Sequence, residues 1–406
     1  MTRRPERAQL VFISATVFLS FIGFSLLVPI LPFLAQEYVH GSDSVALVTG
    51  LLLSSYALCS FIAAPALGAM SDRWGRRPVL LVSLVGSVVG YLLLGIGGAL
   101  WVLFLGRVID GLTGGNVSTA FAYVADVSEP QDRAKYYGLL GAVAGLGFMF
   151  GPPIGGLTAQ LGVSAPLYLA AAITALNLVW GFFLLPESLA PEDRGETLRA
   201  LDLNPFAQLG HVIALPPLTP LFGAAFLFFV AFNGMEGNAS VYLKDVFDWS
   251  ARDIGTVLFV AGFFAAFTQG YLVRKLVPRL GPERVALLGL ATGVAGLLLA
   301  ALTARLVSTP LLYTGAILFI VGDGLYEPSN NGLISGAAGP KMQGRVQGAN
   351  QAMQSISRVV GPLLANWVYV FGSALPWLVE AALVVGGLLV LATALPAVRA
   401  AMARAA

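Results

Sequence analysis

The stretch PALGAMSDRWGRRPVLL, residues 65–81, decides how this chain is arranged. One run of apolar and small residues leads into it and another leads out, and Gly75 allows a tight reversal between them. Arg73, Arg76 and Arg77 lie close together here, in a chain that is only 11% charged. Short loops rich in Lys and Arg lie on the cytoplasmic side of a membrane. The stretch is therefore predicted to be a cytoplasmic loop between two membrane-spanning helices.

The composition of the whole chain supports this interpretation. The 406 residues are 57% hydrophobic, with a mean hydropathy of +0.82, which leaves too few polar side chains for the surface of a water-soluble domain. The apolar runs are about 20 residues or longer, enough to cross roughly 30 Å of hydrocarbon as helices. The single cysteine, Cys59, lies in such a run, which excludes disulfides and cysteine metal sites. The sequence predicts an all-α polytopic membrane protein.

We predict twelve transmembrane helices, divided into two sets of six by the longest polar connection. The predicted spans cover residues 10–36, 45–70, 78–98, 101–124, 136–160, 164–185, 217–243, 253–274, 284–304, 310–334, 345–371 and 375–396. The predicted domains are an N-terminal six-helix bundle over residues 1–186, a cytoplasmic linker over 187–216 and a C-terminal six-helix bundle over 217–406.

The basic residues orient these spans. With both termini in the cytoplasm, the inner segments contain eighteen Lys and Arg residues and the outer segments contain three, Lys244, Arg252 and Arg305. Arginine outnumbers lysine nineteen to four, which is typical of a GC-rich bacterial genome. We therefore expect an integral protein of a bacterial cytoplasmic (inner) membrane, with both termini cytoplasmic.

The two sets of spans resemble each other. Three patterns recur in the same order: Gly68-x3-Asp72-Arg73 and Gly270-x3-Arg274-Lys275, Asp110-Gly111 and Asp323-Gly324, and Arg133 before Gly151-Pro152 and Arg345 before Gly361-Pro362. Repeats of this kind indicate a duplicated unit, with substrate held near the midplane between two six-helix bundles.

Several motifs resemble those of a known family. The pattern Gly68-x3-Asp72-Arg73-x-Gly75-Arg76-Arg77 resembles the loop 2–3 signature of the major facilitator superfamily, and Arg107-x2-Asp110-Gly111 resembles its span-4 motif. The pattern Gly147-x3-Gly151-Pro152-x2-Gly155-Gly156 is similar to the span-5 antiporter signature of its exporters. The resemblance is to the twelve-helix tetracycline and multidrug proton antiporters. It implies two bundles related by a pseudo-two-fold axis, and efflux of amphipathic small molecules or drugs by alternating access. The driving force it implies is a proton gradient, with no cofactor.

Ionisable residues inside the spans are the candidate proton-coupling groups, because a charge at the bilayer centre costs at least about 2.5–3.5 kcal/mol. Arg107 and Asp110 lie three residues apart on one face of span 4. They form either a self-neutralised structural pair or a proton-responsive carboxylate with its counter-ion. The resembling exporters commonly carry an acidic residue in span 1 where this chain has Ser20, so the proton site has moved or been lost.

Further candidate proton-coupling groups lie in the second half. Asp323 and Glu327 lie four residues apart on span 10, so both can face the same side, and Glu236 lies in span 7. Arg358 in span 11 is the counter-ion of either Glu236 or the span-10 pair. Glu380 is expected near the outer surface and is set aside.

The loop motif implies a conformational gate. In the resembling family it is similar to a latch that pairs with neighbouring helix ends and holds one conformation closed. The predicted gate consists of Gly68, Asp72, Arg73, Gly75, Arg76 and Arg77, with the partners Asp126 and Arg133. The alternative is that these charges only mark topology. The small residues of span 5 are expected to allow close approach of a neighbouring helix, and Pro152 to kink the helix.

Polar or aromatic residues within the spans are candidates for contact with substrate: Asn116, Asn233, Tyr326, Asn330, Asn331, Gln351 and Gln354. Each could instead form hydrogen bonds between helices. Spans 7 and 8 are also rich in aromatic residues, most of which are expected to pack or to face lipid: Phe228, Phe229, Phe232, Phe263, Phe264 and Phe267.

The sequence argues against an enzyme. It lacks a phosphate-binding loop ending in GK[ST], an HExxH motif and a nucleophile–base constellation, and no metal or nucleic-acid site is predicted. Two alternatives to drug export remain: a symporter or facilitator for a metabolite such as a sugar or organic acid, and a lipid flippase or sensor on the same fold. The expected partners are a small-molecule substrate, protons and membrane lipid, and the protein is expected to be a monomer.

Overall fold

The computed structural model describes residues 7–129, 132–190, 192, 194, 218–338 and 343–405, and the fold of these residues is helical. The α-helices are α1 (Arg7–Leu26), α2 (Leu31–Gln36), α3 (Ser42–Trp74), α4 (Arg76–Ile96), α5 (Leu100–Leu112), α6 (Asn116–Val127), α7 (Arg133–Thr158), α8 (Ala165–Leu184), α9 (Thr219–Phe247), α10 (Ala251–Phe267), α11 (Val273–Leu280), α12 (Pro282–Leu306), α13 (Thr309–Ala338), α14 (Gln343–Tyr369) and α15 (Leu375–Ala405). A 3-10 turn (Ala159–Leu161) follows α7, and a π-helical turn (Thr268–Leu272) joins α10 to α11.

Every predicted span coincides with one or two of these helices, which confirms the fold class. Ten helical stretches in the described part of the chain are long and apolar enough to cross a membrane. The fourth predicted span is not among these ten, because it is divided into α5 and α6, each of which is too short to cross a membrane. The eleventh, α14, is more polar and carries Asn350, Gln351, Gln354 and Arg358 within it.

The first and fourth predicted spans are each interrupted. Between α1 and α2 the chain passes through turns at Leu27–Ile30, where Pro29 has no N–H to donate to a helix. Between α5 and α6 it passes through Thr113, Gly114 and Gly115, and glycine weakens a helix interior. Broken helices leave backbone polar groups unpaired by the helix itself, and in membranes they occur where a helix faces protein or a cavity rather than lipid.

The chain forms two compact units. The first contains the described residues of Met1–Val39, Ser55–Pro205 and Ser250–Thr256, and the second those of His40–Ser54, Phe206–Trp249 and Val257–Ala406. Most of the predicted linker over 187–216 lies outside the described residues. The predicted domain boundaries therefore stay a prediction.

In the first unit, α1 packs along α7, and the small residues of α7 make this contact possible. An ideal Cβ at Gly151 would lie 2.8 Å from the carbonyl oxygen of Ile22, and one at Gly147 would lie 3.0 Å from the Cβ of Phe21. A Cβ at Gly155 would meet the backbone of α1 in the same way. The backbones of α1 and α7 are therefore too close for any larger residue at these positions without movement.

The second unit also has helices that pack closely at glycine residues. Here α9 packs against α14 and α15, and α12 packs against α13. An ideal Cβ at Gly361 of α14 would lie 2.7 Å from the backbone nitrogen of Gly234 on α9, and one at Gly237 would lie 2.7 Å from the Cβ of Pro362. Gly361-Pro362 thus contacts span 7 as Gly151 contacts span 1, which supports the predicted duplication.

Candidate functional site

Glu187 closes the loop between α3 and α4. Gly75, in the left-handed region with φ +104°, precedes α4 and offers no side-chain cap. The backbone N–H of Arg76 donates to Glu187 Oε1 at 2.8 Å, and that of Arg77 donates to Oε2 at 3.2 Å. A Cβ at Gly75 would lie 2.6 Å from the carboxyl carbon of Glu187. Glycine is therefore required at this position both by the backbone conformation and by the carboxylate beside it.

The side chain of Arg76 joins three helices of the first unit. Its Nε donates to Asp126 Oδ2 at 2.9 Å, and its guanidinium also pairs with Asp72 and with Ser71. Ser188 Oγ donates to the same oxygen of Asp126 at 3.0 Å. Asp126 is thus placed against the loop motif, as the sequence suggested.

The remaining predicted gate residues make fewer contacts with one another. Arg77 donates to the carbonyl oxygen of Phe182 at 2.6 Å, whereas Arg73 and Arg133 are exposed and pair with no other gate residue in the described part of the chain. No side chain lies within 4 Å of a Cβ built at Gly68. The role of these residues as a gate stays a prediction.

Glu187 and Ser188 are the residues of this region that sequence reasoning missed. Their only signal is indirect. A helix that starts after a glycine leaves its first N–H groups without a side-chain acceptor, so an acceptor must come from elsewhere. Pro186-Glu187-Ser188 follows the sixth span on the same predicted side of the membrane.

The span-4 pair is buried within the first unit. Arg107 is 1% exposed, and its Nη1 lies 3.8 Å from Asp110 Oδ2. Asp110 Oδ1 accepts a hydrogen bond from Ser87 Oγ at 2.8 Å, and the guanidinium lies 4.3 Å from the centre of the Tyr56 ring. Both carboxylate oxygens therefore have a partner, which favours the structural interpretation of this pair. Ser87 and Tyr56 come from other helices and could not be predicted from spacing.

Ser20 and Asn116 contact each other. Asn116 Nδ2 donates to Ser20 Oγ at 2.7 Å, and Ser20 Oγ donates to the carbonyl oxygen of Thr16 at 2.7 Å. Where an acid is common in the resembling exporters, this chain therefore has a neutral hydrogen bond between α1 and α6.

The second unit brings together Glu236 of α9, Asp323 and Glu327 of α13 and Arg358 of α14, which we call the carboxylate cluster. The charge of Arg358 acts on both Glu236 and Glu327, and Asp323 lies within electrostatic range of both glutamates. Which of the two groups Arg358 serves as counter-ion stays a prediction. Oε1 of Glu236 is buried and accepts no hydrogen bond from the described residues.

An aromatic wall lies beside this cluster. Tyr326 follows Asp323 by three residues and precedes Asn330 by four, so all three lie on one face of α13. The Tyr326 ring centre lies 4.5 Å from that of Phe228, and the Phe319 and Phe232 rings stack at 6.1 Å. The hydroxyl of Tyr326 and Oδ1 of Asn330 are buried without a hydrogen-bond partner among the described residues. The face offers charge, hydrogen-bonding groups and aromatic surface together.

The other substrate candidates have different environments. Asn233 Nδ2 donates to the carbonyl oxygen of Phe229 in its own helix at 2.7 Å, and Asn331 Oδ1 accepts from Asn350 Nδ2 at 3.0 Å. Gln351 is exposed and Gln354 is half-buried. Among the aromatic residues of spans 7 and 8, Phe228 and Phe229 are buried, Phe232 and Phe264 are half-buried, and Phe263 and Phe267 are exposed.

The expected position of Glu380 near the outer surface of the membrane stays a prediction, but its burial was not foreseen. Its side chain lies inside the second unit, with 3% of the residue exposed. It follows Pro376 and Trp377 near the start of α15, and α9 passes beside that part of the helix. Position along a span therefore does not decide exposure when another helix covers the residue.

The described chain has long apolar helices, two predicted spans that are broken, and ionisable groups inside the spans. These features are typical of a polytopic transport protein. The chain belongs to the Major Facilitator Superfamily, whose family model matches residues 13–362 and 272–405.

Three similar proteins support this membership. The class C tetracycline resistance protein of Escherichia coli is 34% identical and covers 92% of this chain and 94% of its own length. Multidrug resistance protein 2 of Bacillus subtilis is 27% identical and covers 94% of each. The crystal structure of the human organic anion transporter MFSD10 (TETRAN) has 27% identity and a TM-score of 0.72, and the match covers 96% of this chain and 100% of that one. At the level of the family, the two bacterial relatives support a drug exporter.

Proposed function

We propose that this protein is a secondary active transporter that exports amphipathic small molecules, tetracyclines among them, from the bacterial cytoplasm in exchange for protons. It alternates between states open to one side of the membrane and to the other. The observation that carries this proposal is the α13 face, where Asp323 and Glu327 lie with Tyr326 and Asn330. An amphipathic ligand needs aromatic surface together with a few polar or charged groups that fix its orientation.

Proton exchange follows from the balance of charge in the carboxylate cluster. Within the described part of the chain, the charge of Arg358 acts on Glu236 and Glu327, and both glutamates lie within electrostatic range of Asp323. Asp323 lies within electrostatic range of two other carboxylates, and a buried carboxyl group in such a place can take up a proton when the site is free of substrate. A cationic or polar ligand on the α13 face would replace that proton. Competition between proton and ligand for the same negative site is the physical basis of exchange.

Everted membrane vesicles from bacteria expressing the chain test this function. With the vesicle interior made acidic, we expect accumulation of an amphipathic cationic dye and of tetracycline, and release of both when a protonophore collapses the gradient. The variant Asp323→Asn should lower the initial rate at least tenfold. The matched control is Asp248→Asn, an exposed position with φ +53° that asparagine also tolerates. Vesicles that transport no dye or drug above the empty-vector background would overturn the export proposal.

A second candidate function is transport of organic anions, which is what the human relative MFSD10 is described as carrying. Arg358 is exposed and within range of two carboxylates, so an anionic ligand could take their place beside it. The same vesicles discriminate the two functions: accumulation of an anionic dye but not of a cationic one, with loss in Arg358→Gln, would favour the anion.

A further inference from the structure

Glu380 is a buried acid outside the carboxylate cluster. It lies on α15 in the second unit, with 3% of the residue exposed. Neither of its carboxyl oxygens has a hydrogen-bond partner among the described residues. An ionised carboxylate normally accepts several hydrogen bonds, so this environment does not suit the charged form.

The surroundings of Glu380 are backbone and small residues of α9 and α14. A Cβ built at Gly234 of α9 would lie 3.0 Å from Oε1 of Glu380 and 3.3 Å from the carbonyl oxygen of Gly361. The same Cβ would lie 3.4 Å from the Cβ of Ala365, so the carboxyl group occupies space that only glycine leaves free. This arrangement places the acid against the helix that also carries Glu236.

Among the described residues, no charged side chain is paired with Glu380. The described titratable residues on the helices packed against α15 are Glu236, Tyr242, Lys244 and Asp245 on α9, Glu283, Arg284 and Arg305 on α12, Tyr313, Asp323, Tyr326 and Glu327 on α13, and Arg358 and Tyr369 on α14. None of them forms an ion pair or a hydrogen bond with the carboxyl group of Glu380 in the described structure. Glu236 and Glu327, in contrast, both feel Arg358.

We propose that Glu380 is a second proton-binding site, which holds its proton while α15 is packed against Gly234 of α9. Removing a carboxylate from water without a partner is expensive, whereas a neutral carboxylic acid can donate one hydrogen bond to a nearby carbonyl. The proton can leave only when α15 separates from α9 or water reaches the group. Protonation of Glu380 is therefore coupled to the packing of α9. The proposal goes beyond drug export. Whether Glu380 holds a proton can be measured on the purified protein without any transport assay.

Infrared spectroscopy of the purified protein tests the proposal directly. A protonated carboxylic acid has a C=O stretch that the carboxylate lacks. We expect a band of this type to persist at pH 7, well above the ordinary glutamate pKa of about 4.3, and to disappear in Glu380→Gln. Glu37→Gln, at an exposed glutamate, should leave the band unchanged. A difference spectrum between wild type and Glu380→Gln that contains no protonated carboxyl band would overturn the proposal.

Gly234→Ala gives a second measurement that does not depend on removing the acid. The added methyl group meets Oε1 of Glu380, so the frequency of the Glu380 band should shift while the remaining carboxyl bands stay in place. An unshifted band would overturn the assignment to Glu380.

Thermal unfolding shows in which direction pH changes the stability of the folded protein. The folded protein holds a proton that the unfolded chain releases above the ordinary glutamate range, so raising the pH favours unfolding. The unfolding temperature of the wild type should fall more between pH 6 and about pH 9 than that of Glu380→Gln. Equal slopes for the two proteins would contradict the proposal.

Discussion

Glu187 takes the place of the side-chain cap that Gly75 cannot supply to α4. Two backbone N–H groups at the start of a helix converge on its carboxylate, and the partial positive charge of the helix N-terminus favours the same negative group. Charge-assisted hydrogen bonds of this kind are about twice as strong as neutral ones. The loop motif of the sequence thus depends on a residue that lies 111 positions away.

Glu187→Ala should destabilise the protein by about 1 kcal/mol, the usual cost of losing a helix cap. The reason is that the first N–H groups of α4 lose their acceptor. Thermal unfolding in detergent measures the effect. Glu192→Ala, at an exposed acid five residues further along the chain, is the control and should have little effect. Equal stability of the two variants would contradict a capping role.

Gly75→Ala should lower the free energy of unfolding by more than the cost of placing alanine in the left-handed region. Alanine in the left-handed region costs about 1–2 kcal/mol, and here its Cβ would also meet the carboxyl group of Glu187. Gly41 has φ +84° but nothing within 4 Å of a built Cβ, so Gly41→Ala isolates the backbone effect. The difference in unfolding free energy between the two variants measures the contact with Glu187. A difference of zero would show that the contact adds nothing.

At the scale of the element, hydropathy predicted where the helices are but not how they are interrupted. All twelve predicted spans coincide with helices, and ten helical stretches of the described chain are long and apolar enough to cross a membrane, because a length of about 20 apolar residues is a direct requirement of the bilayer. The breaks between α1 and α2 and between α5 and α6 depend on local turns. Hydropathy does not locate these turns, because the spans are apolar throughout. The burial of Glu380 was missed for a related reason. It depends on which helix lies beside α15, and a single sequence does not contain that information.

The small residues of α7 allow a test of the helix contact with an internal control. Gly151→Ala should destabilise the protein by about 1–3 kcal/mol, because its methyl group would enter the backbone of α1. Gly145→Ala, on the same helix with nothing within 4 Å, should be neutral or stabilising by up to about 1 kcal/mol, as alanine favours helix. Chemical or thermal unfolding of both variants decides the matter. The contact would be refuted if Gly151→Ala were as stable as Gly145→Ala.

At the scale of the whole molecule, the two units repeat a plan but differ in charge. Asp110 in the first unit is held by Arg107 and Ser87, whereas Asp323 in the second has other carboxylates as its neighbours. The sequence predicted which residue types would matter, because ionisable groups are costly in a membrane. It could not predict Ser87 and Tyr56, which reach Asp110 and Arg107 from other helices, and it left open which acid Arg358 serves. We therefore propose that the second unit carries the proton exchange.

Arg358→Gln tests this asymmetry. Without the arginine, the carboxylate cluster has no cation and should hold protons more strongly, so proton-driven dye transport should fall at least tenfold at pH 7. Transport should recover in part at higher pH, where the carboxylates lose those protons. Arg305→Gln, at an exposed position at the end of α12, is the control. Unchanged transport in Arg358→Gln would place the coupling outside the cluster.

The contact between Glu187 and the start of α4 also has a consequence for biosynthesis. A ribosome makes the chain from its N-terminus, and domains generally fold as units in that order. The N–H groups of Arg76 and Arg77 emerge early, yet their acceptor is translated only after the sixth span has been completed. Until then the start of α4 has no cap. This contact can therefore form only after the first six spans have been synthesised. A chain stalled before residue 187 would lack the contact between Glu187 and the start of α4.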